Sequence, residues 1–212
     1  LRPEIPSYIY DINGDLITEI HDAHNRIPVT IDDLPQHLID AFLAAEDNKF
    51  WEHPGFDAMA ILRAFVTGHG GGSTITQQTV KQVFLTPEQT IRRKLQELFI
   101  SIQLEKMYTK EEILEFYINN ATFFGNGAYG VEAASQTYFN KSVSELSLAE
   151  SALLAGIPNW PSRFAPDPDD LEVSTKRRDA VLWRMIRFGY VSEEEGLAAM
   201  DEQIVLSPRE SS

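Results

Sequence analysis

Helix-start signals recur along the chain after Pro28 and leave little room for a fold that is not mainly α-helical. Each is a Ser or Thr followed three residues later by Glu or Gln, the capping-box spacing that satisfies free N–H groups at a helix start. The boxes are Thr74 with Gln77, Thr86 with Gln89, Thr109 with Glu112, Ser147 with Glu150 and Ser192 with Glu195. Apolar residues at helical spacing follow each box. We therefore predict a mostly α fold of eight or more helices.

The N-terminal segment has the pattern of a β-hairpin. Residues 7–12 and 15–20 are rich in β-forming side chains and flank Asn13-Gly14, a strong hairpin-turn signal. Near the other end, residues 158–166 contain three prolines and two aromatics, and we expect an extended, ordered loop there. The predicted regions are a hairpin and linker over 1–30, a main domain over 31–190, and a C-terminal helix with the start of a linker over 191–212.

Charge is distributed unevenly along the 212 residues. The net charge of −14 argues against a nucleic-acid binder or a general binder of anionic membranes. Residues 63–96 nevertheless hold five Lys and Arg side chains against one acid, a local charge of +4. Such a basic island would suit an anionic substrate, and it would equally suit a solvated helix surface.

Several chemistries find no support in the composition. The chain has no cysteine, so a thiolate nucleophile, a disulfide framework and a thiolate metal site are excluded. No Asp or Glu cluster stands out as a metal site. No apolar run is long enough to span a bilayer, and no signal peptide is visible.

The segment around Glu46 has the composition of a catalytic site. If a helix continues through it, Glu46, Phe50 and His53 fall on one side, next to an apolar stripe. A carboxylate at such a border is partly desolvated, which raises its pKa and suits a general acid or base. The alternative is that Glu46 and Asp47 cap the helix or face solvent.

Two further polar segments follow. Glycines precede a helix in which Thr74, Gln78 and Lys81 share one face, an arrangement suited to phosphate or sugar, although glycine turns before helices are common. Farther on, Arg93 and Glu97 lie four residues apart on the helix face opposite the apolar residues. An i,i+4 pair of this kind is usually a solvated salt bridge, so spacing alone does not mark Glu97.

In this order, the segments resemble peptidoglycan glycosyltransferases, which are glycosyltransferase family 51, found as monofunctional enzymes and as N-terminal domains of class A penicillin-binding proteins. The leading motifs are Glu46-Asp47-x-x-Phe50-x-x-His53, Gly71-Gly72-Ser73-x-Ile75-Thr76-Gln77-Gln78-x-x-Lys81 and Arg93-Lys94-x-x-Glu97. The resemblance extends over roughly residues 7–190. It implies a lysozyme-like helical lobe with a smaller membrane-facing jaw subdomain, at roughly residues 57–85.

The resemblance also implies a reaction and its residues. The donor is a glycan on undecaprenyl pyrophosphate, the acceptor is lipid II, and transfer inverts the anomeric carbon. Glu46 matches the general base, Lys81 and Arg93 match cations near the pyrophosphate, and Glu97 is expected to order Arg93 and Lys94. The other substrate-binding residues that the resemblance implies are Asp47, Phe50, His53, Arg63, Gly72, Ser73, Thr74, Gln77, Gln78, Asn120, Tyr129 and Glu132.

The cellular context follows from the same resemblance. It implies the extracytoplasmic face of a bacterial cell membrane, an anchor helix upstream, a fused C-terminal transpeptidase domain and other cell-wall synthesis proteins as partners. Residues 58–68 are apolar enough to contact lipid, although an ordinary core helix would have the same composition. Family members usually carry a longer segment between the positions of Arg63 and Gly71.

Two other functions remain open at this point. Paired glutamates in a helical lobe would also suit a lysozyme-like glycosidase or a lytic transglycosylase, but hydrolysis needs no pyrophosphate site. The second alternative is an inactive module that binds the lipid carrier. No cofactor is assigned, and a requirement for Mg²⁺ or Mn²⁺ is left open.

Overall fold

Helices dominate the part of the chain that the structure describes. This computed structural model describes residues 7–10, 16–20, 27–67, 72–84 and 90–207, and within them the prediction of a mostly α fold is confirmed. The helices of these residues are α1 (Gln36–Glu46), α2 (Ala58–Thr67), α3 (Ile75–Phe84), α4 (Ile91–Met107), α5 (Lys110–Phe116), α6 (Val131–Phe139), α7 (Leu148–Gly156), α8 (Pro161–Phe164), α9 (Glu172–Phe188) and α10 (Glu193–Asp201). Single 3-10 turns at Ile31–Asp33 and Val143–Glu145 and a π-helical segment at Tyr117–Ala121 complete the set.

Two strands near the N-terminus pair as the hairpin pattern predicts. Strand β1 (Ser7–Tyr10) runs antiparallel to β2 (Leu16–Ile20), with Ser7 opposite Ile20 and an irregularity between Ile9 and Tyr10. The predicted Asn13-Gly14 turn lies outside the described residues.

Most of the predicted capping boxes are present. At Thr109, Ser147 and Ser192 the side-chain hydroxyl accepts a hydrogen bond from the backbone N–H three residues later. The Glu at that later position accepts a hydrogen bond from the backbone N–H of the cap residue. Thr74 and Gln77 make the same reciprocal pair of bonds. The box at Thr86 lies outside the described residues, and the described helix α4 begins later, with the hydroxyl of Thr90 accepting from Arg93 N.

Two short helices form the centre of the core. All of α7 after its first residue is buried, and α1 is buried from Leu38 to Ala45 except at Asp40, as expected for helices covered on every side. These helices pack against each other, α9 packs against both, and α10 packs on α9. Phe42 meets Tyr117 and Phe124 edge-on, with ring centroids 6.4 and 6.2 Å apart, which joins α1 to the middle of the chain.

The apolar side of helix α4 faces outward at its start, whereas its sequence predicts that this side is buried. The apolar residues Ile91 and Leu95 are 83% and 62% exposed, whereas Glu97 is only 1% exposed. The expectation of a solvated Arg93–Glu97 pair is therefore wrong. The inner side of α4 packs against α3 and carries the buried residues Glu97, Ser101 and Leu104, while Ile91 and Leu95 point outward.

The proline-rich loop is also less extended than predicted. Residues Pro161–Phe164 form the short helix α8, with Pro161 at its first turn, where the missing N–H costs nothing. Along the described residues, no helix combines the length and apolarity needed to cross a bilayer.

Candidate active site

A polar cleft lies where the end of α1, helices α3 and α4, the α7–α8 turn and helix α9 come together. Its volume is about 480 Å³. The residues that line it are Ala45, Glu46, Ser73, Gln77, Gln78, Lys81, Gln82, Glu97, Pro158, Asn159, Arg177 and Arg184. Six residues from the sequence prediction are thereby brought to one place, namely Glu46, Ser73, Gln77, Gln78, Lys81 and Glu97.

Glu46 is the last residue of α1 and is held from one side only. Gln78 Nε2 donates to its Oε2 at 2.9 Å, and the buried Tyr117 hydroxyl donates to Gln78 Oε1 at 3.3 Å. The other carboxylate oxygen, Oε1, is buried without a hydrogen-bond partner among the described residues. An oxygen left without a donor in protein surroundings makes the charged form less stable, so this carboxylate gains by accepting a proton.

The pKa of Glu46 is raised above the ordinary glutamate value. Burial is the largest cause, and the neighbouring Asp47 carboxylate adds to it. The hydrogen bond from Gln78 and the charges of Arg177 and Arg184 lower the pKa, but not enough to cancel the effect of burial. The environment therefore agrees with the desolvated acid or base that the sequence predicts.

Asp47 fixes the position of Glu46 relative to α3. The helix does not continue to His53 as the sequence prediction assumed, because Asp47 leaves helical geometry and turns its carboxylate toward α3. Asp47 Oδ2 accepts from Ile75 N at 3.0 Å and lies 2.8 Å from His53 Nε2. A carboxylate at a helix N-terminus is favoured by the free N–H groups and the helix dipole.

The turns after Asp47 pack behind one wall of the cleft. Thr74 Oγ1 donates to Gly55 O at 2.8 Å, and Gly55 has φ of +95°, where any Cβ would lie 2.8 Å from Ser101 O of α4. Phe50 is buried under the Lys110 ammonium, which lies 4.4 Å from the ring centroid and donates to His53 O. Phe50, His53 and Thr74 therefore hold the wall of the cleft without lining it.

Glu97 is the buried centre of a cationic cluster. Arg93 Nη1 lies 3.2 Å from Glu97 Oε2, and Lys94 Nζ bonds Glu97 Oε1 and also donates to Ser73 Oγ at 2.8 Å. Lys81 has no hydrogen bond or ion pair among the described residues, so its ammonium is available to a ligand in the cleft. Glu97 thus orders two cations, whereas Lys81 forms no ion pair within the described part of the chain.

Two arginines that the sequence analysis missed form the opposite wall. Arg177 and Arg184 lie seven residues apart on α9, so they share one helix face, and both line the cleft. Burial lowers the pKa of each guanidinium, while the nearby Glu46 carboxylate raises it. Their spacing was visible in the sequence, but they are far along the chain from the basic island at residues 63–96.

Three predicted substrate-binding residues are placed outside the cleft lining. Asn120 Nδ2 donates back to Phe116 O at 3.4 Å, and the Tyr129 ring lies 4.6 Å from that of Phe123. Both carboxylate oxygens of Glu132 are used, one by Gln136 and the other by Val143 N. Those two bonds are each 2.8 Å long. The binding roles of Asn120, Tyr129 and Glu132 stay predictions.

The remaining two predicted residues lie on the N-terminal approach to α3. Gly72 directly precedes Ser73 of the cleft, and a Cβ at Gly72 would lie 3.0 Å from Ala60 O of α2. Arg63 lies on α2, and its side chain is outside the described part of the structure.

Comparison with known proteins identifies the family of this chain. The family described as Transglycosylase matches residues 13–186. Penicillin-binding protein 1A of Haemophilus influenzae is 48% identical over 208 residues, 95% of this chain and 24% of that protein. Penicillin-binding protein 1A of Escherichia coli K12 is 43% identical over 201 residues, covering 92% and 23% of the two chains.

A solved structure is similar as well. The crystal structure of penicillin-binding protein 1A from Haemophilus influenzae matches with a TM-score of 0.57 and 34% identity, over 99% of this chain and 22% of that one. The chain therefore spans about a quarter of the length of the curated relatives it matches. It belongs to the transglycosylase family, so the resemblance found in the sequence is confirmed, as is the prediction of a mostly helical, lysozyme-like fold.

Proposed function

We propose that this domain polymerises lipid II into glycan strands by inverting transfer, with Glu46 as the general base. The observation that carries the proposal is the position of Glu46 in a cleft between Lys81 on one wall and Arg177 and Arg184 on the other. A base of raised pKa between cations suits a reaction that removes a proton from a hydroxyl and releases a pyrophosphate.

The chemical step uses these groups in a fixed order. Glu46 takes the proton of the acceptor 4-hydroxyl while that oxygen attacks the anomeric carbon of the donor from the face opposite the leaving group. The bond between that carbon and the pyrophosphate oxygen breaks, and the pyrophosphate leaves with the electron pair. Attack from the opposite face inverts the configuration at the anomeric carbon.

The cations stabilise the charge that develops on the leaving pyrophosphate. Lys81 is assigned to direct contact because it has no competing partner among the described residues. Arg93 and Lys94 are bound to Glu97 and act from the same side. Among the described residues no group of three or more His, Asp or Glu could hold a metal ion.

A lipid II assay tests this function against its rivals. Growth of polymer from labelled lipid II supports the glycosyltransferase. Shortening of preformed glycan strands without polymer growth would support a glycosidase or lytic transglycosylase. Binding of lipid II without turnover would favour the inactive carrier-binding module.

The acid side of the pH–rate profile reports the pKa of Glu46. Because the base must be ionised, kcat should fall as the pH drops through that pKa. Arg184 lowers the pKa of Glu46, so Arg184→Ala should raise it and move the acid limb of the profile to higher pH. Arg187→Ala, one turn farther along α9 and outside the cleft lining, is the matched control. An acid limb unmoved by Arg184→Ala would contradict the assignment.

We propose that the outward apolar residues of α2 and α4 bring the domain to the membrane that holds its substrate. Met59 and Leu62 of α2 are 62% and 54% exposed, and Phe99 continues the exposed side of α4 that begins at Ile91 and Leu95. Exposed apolar side chains on this scale favour contact with a lipid surface. The apolar segment 58–68 also includes Phe65 and Val66, whose side chains lie outside the described part.

Vesicle binding tests this docking. We expect Leu62→Ser and Phe99→Ser each to weaken sedimentation with anionic lipid vesicles several-fold, with only modest salt dependence, because apolar contact is not screened. Leu197→Ser, at an exposed position of α10, serves as the control. Binding that survives both substitutions and disappears with added salt would mean that the cations alone hold the domain at the membrane.

The wider context is also proposed. Because the relatives are about four times as long as this chain, we infer that the domain works within a larger protein. We propose an extracytoplasmic location, a membrane anchor, a fused transpeptidase domain and other cell-wall synthesis proteins as partners, as the family resemblance implies.

A further inference from the structure

An exposed tryptophan stands at the edge of the cleft. Trp160 lies in the turn between α7 and α8, directly after Pro158 and Asn159, which line the cleft, and it is 52% exposed. The exposed indole leaves apolar surface in contact with water. It stands where a ligand that extends out of the cleft would reach it.

The turn holds this side chain in a defined position. Trp160 N donates to Ile157 O at 3.1 Å, and Trp160 O accepts from Arg163 N at 3.0 Å and from Phe164 N at 2.9 Å. Pro161 further restricts the residue before it. Both backbone groups of Trp160 are therefore used, and a ligand that stacks on the indole need not order the loop.

Cations connect the indole with the cleft. The Arg163 guanidinium lies 5.1 Å from the Trp160 ring centroid, and Trp160 meets Phe164 at 6.5 Å. Phe164 in turn lies 5.0 Å from the guanidinium of Arg177, which lines the cleft. The rim made by Trp160 and Arg163 is thus continuous with the wall that faces Glu46.

We propose that this rim is a subsite for a sugar ring of the growing glycan, a role that rests on the proposed function. A pyranose ring has an apolar face of C–H groups that stacks on an indole, and the carboxylates of the attached peptide stems would pair with Arg163. Lipid II is a single disaccharide, whereas the donor strand lengthens at every cycle. The rim therefore holds the donor strand, beyond the sugars that react.

Strand length tests the subsite in the active protein. We expect Trp160→Ala to shorten the glycan strands made from lipid II and to raise the KM for a longer lipid-linked donor about fivefold, more than the KM for lipid II. Trp160→Phe should restore much of the loss, since it keeps an aromatic face. Trp183→Ala is the matched control, because Trp183 is 51% exposed on α9 and does not line the cleft. Equal effects of the two alanine variants, or an equal loss with lipid II and the longer donor, would overturn the assignment.

A binding measurement separates this proposal from the proposed function. A soluble, lipid-free peptidoglycan hexasaccharide should bind the 212-residue protein, and Trp160→Ala should weaken that binding severalfold in an NMR titration. Loss of binding in Trp160→Ala without polymerisation by the unmodified protein would support the subsite and reject the proposed function. Polymerisation with hexasaccharide binding unaffected by Trp160→Ala would reject the subsite alone.

Discussion

Replacing Glu46 with Gln should lower the rate of lipid II polymerisation by about a thousandfold, within the range that general-base catalysis contributes. The amide keeps the size of the side chain and can still bond Gln78, but it cannot accept the proton of the acceptor hydroxyl. Binding of lipid II should change little, because the cations that line the cleft remain. The measurements are single-turnover polymerisation and equilibrium binding on the same preparation.

Asp40→Asn is the matched control for this variant. Asp40 lies on the same helix, and burial likewise raises the pKa of its carboxyl, but it does not line the cleft. It should polymerise lipid II at nearly the original rate. If Glu46→Gln turned over as fast as Asp40→Asn, the base would have to be another residue.

Removing the Lys81 ammonium should cost about 2 kcal/mol of transition-state stabilisation, a loss of roughly thirtyfold in kcat/KM. Unlike Arg93 and Lys94, Lys81 has no carboxylate partner among the described residues, so its charge acts on the ligand undiminished. The measurement is kcat/KM for lipid II with Lys81→Ala.

Two further variants show whether the loss comes from the charge at position 81. Lys81→Arg keeps the charge and should recover part of the rate. Lys106→Ala removes an exposed lysine from α4 at a position that does not line the cleft, and it should leave kcat/KM unchanged. A Lys81→Ala enzyme as active as Lys106→Ala would exclude Lys81 from the pyrophosphate site.

The sequence was sufficient for much of the fold and for one wall of the site. Capping boxes identify helix starts because the bonds they make are local, within four residues of chain. The motif around Lys81 was likewise readable, since Gln77, Gln78 and Lys81 lie on the single helix α3.

Helix α4 shows why other parts of the fold could not be predicted from the sequence. Periodicity reveals that a helix has an apolar side, but it does not tell whether that side meets a protein core or a lipid surface. The usual assumption buries Ile91 and Leu95 and exposes Glu97, and the structure has the opposite arrangement.

Long-range contacts account for the other differences. Helix α1 ends at Glu46 while Asp47 bonds Ile75 N, which is 28 residues away, so no local pattern marks that end. Arg177 and Arg184 reach the cleft only because α9 packs against α1. The presence of these arginines in the cleft depends on how the helices pack. The spacing of residues along the sequence does not reveal that packing.

The anchoring of α3 has a consequence for how the chain can vary. The start of α3 is pinned by Asp47 through Ile75 N and by Gly55 through Thr74, on the far side of the intervening segment. The connection between Arg63 and Gly72 therefore does not set the distance from Glu46 to Lys81. Because both bonds lie outside this connection, the short segment found here is compatible with an intact catalytic centre.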